Sequence, residues 1–312
     1  MSRRPRRRPA EPTVVPRAEF RSYYDRPVLQ APAWGAPAVP GYLFLGGLAG
    51  ASSVLAGFAQ LGGERELSRA AKTAAAGAIG VSLAALVDDL GRPRRFLNML
   101  RVLKVTSPMS VGSWVLSAYA PAAFGAAGAA VTGRVTQAGA VATATAALLG
   151  PAVATYTAAL VCDTAVPAWH EGYREMPFLF AGSAACAAGG FGLLAVDRGH
   201  SRPAATFALL GGVAELTAKQ LMLRRLGETA AAYRTGRPGV LMRGAEALTV
   251  AGMAGAVAAG RSRATGALAG AALLTASAMT RFGVFGAGTA SARDPEYTVR
   301  PQRLRLDQNA HA

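Results

Sequence analysis

The sequence predicts an all-α, polytopic integral membrane protein with about eight transmembrane helices in a bundle. Three observations carry that prediction. Hydrophobic residues make up 52% of the 312 residues and charged residues only 16%, whereas a soluble domain has about a quarter charged. The charges gather at the two ends and in short clusters between long apolar runs. Once the runs are taken as crossings, Lys and Arg fall mostly on one side of them.

Residues 1–40 are rich in Arg and Pro, and they read as a disordered cytoplasmic tail. A twin-arginine export signal would need an apolar stretch directly after the arginines, and none is there. Residues 41–282 read as the membrane domain. A helix needs about 20 apolar residues to cross about 30 Å of hydrocarbon. Runs near 41–61, 73–90, 109–131, 136–162, 177–196, 203–223, 244–260 and 264–280 meet that need. The fourth run holds Pro151, a candidate kink. The last two are shorter and rich in Ala and Gly. Small-residue faces such as GGLAG at 46–50 suit close helix packing in lipid, where no hydrophobic drive separates helix from solvent. Residues 283–312 read as a polar C-terminal tail.

With the N-terminus inside, the tails and the second, fourth and sixth loops carry about three times as many Lys and Arg as the other loops. That bias predicts cytoplasmic termini and insertion in the cell membrane. The formal net charge of +16 raises nucleic acid as a partner. It is rejected because the basic residues flank apolar segments and do not line a polar face interleaved with aromatics.

Several polar residues could carry chemistry. The second run ends in VDDLGRPRRF, which sets Asp88 and Asp89 at the membrane edge beside Arg92, Arg94 and Arg95. A carboxylate there must be paired or hydrated. The cluster reads either as a proton-handling pocket wall or as an orientation-fixing helix end. The fourth loop, CDTAVPAWHEGYREMPF, concentrates Asp163, Trp169, His170 and Tyr173. Trp and Tyr there read as an interfacial belt, and His170 as a satisfied polar group or a proton handler. Within the sixth run, Glu215 and Lys219 are spaced i,i+4 and could neutralise one another. They read as part of a proton path or as a structural pair with Lys219 snorkelling.

The same counts limit cofactors. His170 and His200 flank the fifth run, so they fall at opposite faces and cannot sandwich a haem. Cys162 and Cys186 sit in apolar runs and read as small packing residues; an iron–sulfur cluster needs four ligands. No His, Cys and carboxylate grouping has metal spacing.

Three stretches carry a family resemblance: GYLFLGGLAGASSVLAG (41–57), DLGRPRRFLNML with SPMSVGSW (89–100, 107–114), and PAWHEGYREMPFLFAGSAACAAGG (167–190). They resemble the NrfD, or polysulfide-reductase, membrane-anchor family over most of residues 41–200. That resemblance implies an eight-helix, haem-free subunit of a respiratory oxidoreductase. Such a subunit binds menaquinone or menaquinol near one membrane face. It docks a four-cluster, ferredoxin-like iron–sulfur subunit, which leads to a molybdopterin-type catalytic subunit. By position it implicates Tyr42, Asp89, Arg92, Tyr156 and Trp169 in the quinone site. Some relatives place a histidine in the first helix; here that helix has none, so Tyr42 or His170 would stand in. Asp88, Asp163, Glu215 and Lys219 are the candidate proton path. Two other readings stay open: a proton-coupled transporter or channel, and a purely structural anchor.

Overall fold

The computed structural model describes residues 29–30, 32, 34–89, 98–133 and 137–300. Among them the chain is an all-α polytopic membrane protein. Its long helices are α1 (Ala38–Leu61), α2 (Arg65–Asp89), α3 (Pro108–Val131), α4 (Gln137–Cys162), α6 (Met176–Ala195), α7 (Arg202–Arg225), α9 (Gly236–Val257) and α10 (Arg263–Arg293). Two one-turn helices, α5 (Pro167–His170) and α8 (Ala231–Arg234), lie in the links. Helix α4 runs unbroken through Pro151.

Seven of the long helices are apolar enough to cross a membrane by length and composition. Helix α7, the sixth predicted crossing, forms over 24 residues but falls outside that set. The reason is local: Glu215 and Lys219 lower its hydropathy, yet both are buried within the protein and not offered to lipid.

The last helix also differs from its predicted extent. The run was expected to end at residue 280, before Arg281, yet α10 continues to Arg293. At about 1.5 Å per residue, it outruns the hydrocarbon. Its extension is stable because Val284, Phe285, Ala287 and Ala292 bury an apolar face against the link helices. A charged residue does not end a helix when its side chain points into the protein.

The helices pack as two four-helix groups. In the first, α1, α2, α3 and α4 close a ring of neighbours; in the second, α6, α7, α9 and α10 do so. Helix α1 packs on α6 and α10, and α4 packs on α6, which joins the groups. The seam helices are accordingly the most enclosed: 72% of the α1 apolar window and 67% of the α6 window are buried, against 28% for α9. At the crossing of α1 and α4, Gly50 and Gly150 meet backbone to backbone, and a methyl on either would strike the other's carbonyl. The α1–α2 turn is three residues long and uses Gly63 at φ 76°, a left-handed conformation that glycine adopts without penalty.

Alternation of the long helices puts residue 38 and residue 293 at the same end of the bundle. The contacts agree: Trp34, before α1, stacks on Trp169 in α5, and Trp169 meets Phe285 in α10. This end, called the Trp169 end below, also holds the links 163–175 and 226–235. The opposite end has the short turns at 62–64, 196–201 and 258–262.

Candidate functional site

Helices α1, α2 and α4 bring three of the predicted residues together at the Trp169 end. Tyr42 lies one turn into α1 and is nearly buried; Asp89 ends α2 and is exposed; Tyr156 lies in the last third of α4. Tyr42 is within electrostatic reach of both Asp89 and Tyr156. Ser82 of α2 donates to the Tyr42 backbone carbonyl at 3.1 Å and holds α1 against α2 at this level. The Tyr156 ring lies over Gly112 of α3, where a Cβ would stand only 2.5 Å from the ring. Any larger residue at 112 would displace Tyr156. Among the described residues, neither phenol oxygen has a hydrogen-bond partner. Two phenols and a carboxylate, grouped where the helix ends meet the interface, can donate to carbonyl oxygens and pass protons to water. Arg92 falls outside the described residues.

Trp169 and His170 belong to a different part of the same end. Trp169 is completely buried. Its indole N–H donates to the Val284 carbonyl at 2.8 Å, and its ring is stacked by Trp34 at 5.5 Å. Gly288 lies against the indole so closely that a Cβ would overlap it. Tyr233 donates to the Ala168 carbonyl at 2.7 Å, and its burial holds the phenol protonated, well above its ordinary range. Trp169 is thus fixed by α10 and the amino-terminal segment, with its one donor already satisfied. His170 is exposed, with Nδ1 3.3 Å from the Cys162 carbonyl. Asp88 and Asp163 are exposed at this end.

The rest of the 163–175 link is organised by Arg225 at the end of α7. Its guanidinium donates to both carboxylate oxygens of Glu175 and to the Glu171 carbonyl. It also lies over the Tyr173 ring at 5.7 Å. The hydrogen bond from Arg225 holds the Glu175 carboxyl below the usual carboxylate range.

Deeper in the second group, the expected Glu215–Lys219 pair is not formed. Lys219 donates to the Met242 carbonyl at 2.6 Å and to Glu246 of α9 at 2.8 Å. Glu215 accepts from Thr280 of α10 at 2.7 Å and lies in the field of Arg281. The i,i+4 spacing puts both groups near one face, but Glu246 of α9 and Thr280 of α10 compete for them and win. Arg281 is 1% exposed. It donates to the Phe180 carbonyl at 2.8 Å, and its guanidinium sits 3.7 Å from the Phe180 ring centroid. Among the described residues, Glu215 Oε2 and Arg281 Nε and Nη1 have no hydrogen-bond partner.

Arg281 and Glu246 are the residues that sequence reasoning missed. A signal for Arg281 existed: it stands between AMT and FGVFGAG, with small and apolar residues continuing on both sides. His170 and His200 stand at opposite ends, as expected; His200 is 2.9 Å from Glu64 at the α1–α2 turn.

Comparison with known families agrees with this architecture. The family model for polysulphide reductase, NrfD, matches residues 28–226, from before α1 to just beyond α7 and more than half of the chain. No curated protein matches it.

Proposed function

The chain belongs to the NrfD (polysulphide reductase) family, and we propose that it is the haem-free, quinone-exchanging subunit of a respiratory oxidoreductase complex in the cell membrane. Family membership makes it a membrane subunit of a polysulphide reductase or related reductase complex. The finer reading concerns menaquinone or menaquinol as the exchanged substrate. It names a four-cluster iron–sulfur subunit as the neighbour at the Trp169 end and a molybdopterin-type catalytic subunit beyond it. One observation supports it above the others: Tyr42, Asp89 and Tyr156, far apart in sequence, come together at one end, and among the described residues neither phenol oxygen has a hydrogen-bond partner.

The chemistry fits that group of residues. Quinone reduction consumes two electrons and two protons, and quinol oxidation returns them. Tyr42 and Tyr156 supply hydrogen-bond donors for the two carbonyl oxygens, and Asp89 exchanges protons with water at the interface. Asp88 and Asp163, exposed at the same end, extend that exchange to the surface. The buried Glu215 and Lys219 are assigned to proton handling inside the second helix group, with Arg281 beside Glu215. Trp169 shapes the end of the bundle and does not itself donate to the substrate.

The test is purification of the full chain in mild detergent, with mass spectrometry of accompanying subunits and extraction for quinone. An iron–sulfur subunit, a larger redox subunit and retained menaquinone are expected. In that complex Asp89→Asn inserts normally and loses at least tenfold in quinone-linked electron transfer. Normal turnover in that variant would remove Asp89 from the reaction. A chain that purifies alone and without quinone, under conditions that keep respiratory complexes intact, would overturn the proposal. That result would favour the second reading, a proton-coupled transporter, to which the buried Glu215, Lys219 and Arg281 also point.

A further inference from the structure

At the end opposite Trp169, between the first turns of α2 and the facing ends of α3 and α4, lies a cavity of about 590 Å³. Arg65, Arg69 and Lys72 line it. They are spaced i, i+4 and i+7, so they stand on one face of α2 and descend about 10 Å from the helix start toward the membrane interior. Gly63 and Gly133 form part of the rim, and a Cβ at either would meet open space. Below the cavity α1, α2, α3 and α4 close on one another around Lys72, Ser53, Thr143 and small Ala side chains, so the recess ends there. Leu61, Val131 and Val141, at the helix ends around the mouth, are all more than half exposed.

The cations lack acidic partners. Among the described residues no ion pair involves Arg65 or Arg69, and Lys72 donates to the neutral Gln60 side chain at 2.5 Å. The acids on either side of Arg65 face elsewhere. Glu64 is paired with His200, and Glu66 lines a separate surface cleft with Asp197 and Arg198. The start of α2 adds the positive end of its dipole to the same cavity. Three unpaired cations would repel one another at a membrane interface. They are stable together when a multivalent anion sits among them, and basic recesses between transmembrane helices recruit acidic headgroups on that principle. The charge bias makes the cluster more pointed. This end carries the minority of Lys and Arg in the chain, yet three of them share a single helix face.

We propose that this recess binds one anionic phospholipid, with its headgroup phosphate among Arg65, Arg69 and Lys72 and its acyl chains over the exposed apolar rim of Leu61, Val131 and Val141. A free phosphate would satisfy the cations but leave the exposed apolar rim uncovered. A lipid covers both. The proposal does not depend on the quinone reading, because it concerns the other end of the first helix group and uses none of the same residues.

The full-length chain, with any subunits that accompany it, would be purified in mild detergent. It would then be exchanged into nanodiscs of phosphatidylcholine with a minor fraction of phosphatidylglycerol or cardiolipin. Native mass spectrometry counts lipids retained after detergent release. Wild type is expected to keep one anionic lipid and no zwitterionic one. Each cation near an anionic lipid surface contributes about fivefold in affinity, so Arg69→Gln alone loses about fivefold and the triple variant R65Q/R69Q/K72Q about a hundredfold. Arg198→Gln with Arg261→Gln, at the separate basic cleft of the same end, leaves retention unchanged. The single variant keeps the test valid if the triple variant fails to fold. Equal retention in wild type and Arg69→Gln, retention of zwitterionic lipid, or competition by millimolar inorganic phosphate in place of lipid would each overturn the proposal.

Discussion

Gly288→Ala is the substitution with the most direct structural consequence. A Cβ at residue 288 would overlap Trp169 Cε2, Nε1 and Cδ2. The indole cannot step aside at little cost. It is fully buried, stacked on one side by Trp34 at 5.5 Å and met on another by Phe285 at 5.7 Å. Forcing an extra methyl into a filled core costs about 1–3 kcal/mol. Rotating the indole away from the Val284 carbonyl forfeits a hydrogen bond worth about 1 kcal/mol. The expected loss is therefore about 2–4 kcal/mol. Denaturant unfolding in mixed micelles would measure it, with Gly260→Ala as the control. Nothing lies within 4 Å of a Cβ at 260, and that variant should stay within about 0.5 kcal/mol of wild type. Trp169→Phe removes the overlapping ring atoms, so in the Gly288→Ala background it should cost less than it does alone, a coupling seen only between touching residues. Equal stability of the two Gly→Ala variants would refute the claim that Trp169 is a structural wedge, and would return it to the list of groups free to meet a substrate.

The remaining predictions concern the ion pairs. Lys219→Met strands the Met242 carbonyl and Glu246, but the Glu246 side chain is 40% exposed and can rehydrate. The loss should be about 1–2 kcal/mol in the same unfolding assay. Glu175 has a folded-state pKa held below its ordinary 4.5 by Arg225. Its contribution is present above 4.5 and fades as pH falls through the depressed value, so the acid side of a stability–pH profile should flatten in Glu175→Gln. His200 is shifted the other way, raised from 6.5 by Glu64. Its contribution is complete below 6.5 and fades as pH rises through the raised value, and His200→Gln should abolish that slope while leaving the acid limb intact.

The crossings were legible because an apolar run of about 20 residues is a strong signal wherever it occurs. Even α7 could be read as a helix through Glu215 and Lys219, since two charges in the apolar stretch between Arg202 and Arg224 leave its periodicity intact. Partner choice was not legible. Glu215 and Lys219 are one turn apart in sequence, and that spacing invites pairing, but Thr280 and Glu246 reach them from helices that only the packing brings near. Trp34 was hidden for a related reason. It lies in a Pro-rich stretch that reads as a tail, and what orders it is a stacking partner 135 positions later. The convergence of Tyr42, Asp89 and Tyr156 depended on α1, α2 and α4 being neighbours, which the sequence suggested only through resemblance to NrfD proteins.

Arg281 shows how the two helix groups depend on each other. Its guanidinium bonds a carbonyl of α6, lies on a ring of α6, and approaches α1 so closely that a Cβ on Gly47 would stand 3.1 Å from Nη2. One side chain of α10 thus touches both seam helices. A buried cation costs several kcal/mol unless its charge is compensated. The π-face of Phe180 and one carbonyl compensate only part of it. The acid that acts on Arg281 is Glu215, and among the described residues each retains polar atoms with no hydrogen-bond partner. A proton added to Glu215 would leave Arg281 with only the Phe180 ring and carbonyl to compensate it at the point where α1, α6 and α10 meet. Proton occupancy at Glu215 and packing at the seam are therefore coupled. Tyr42 lies on α1 only five residues before Gly47, about one and a half turns from this contact.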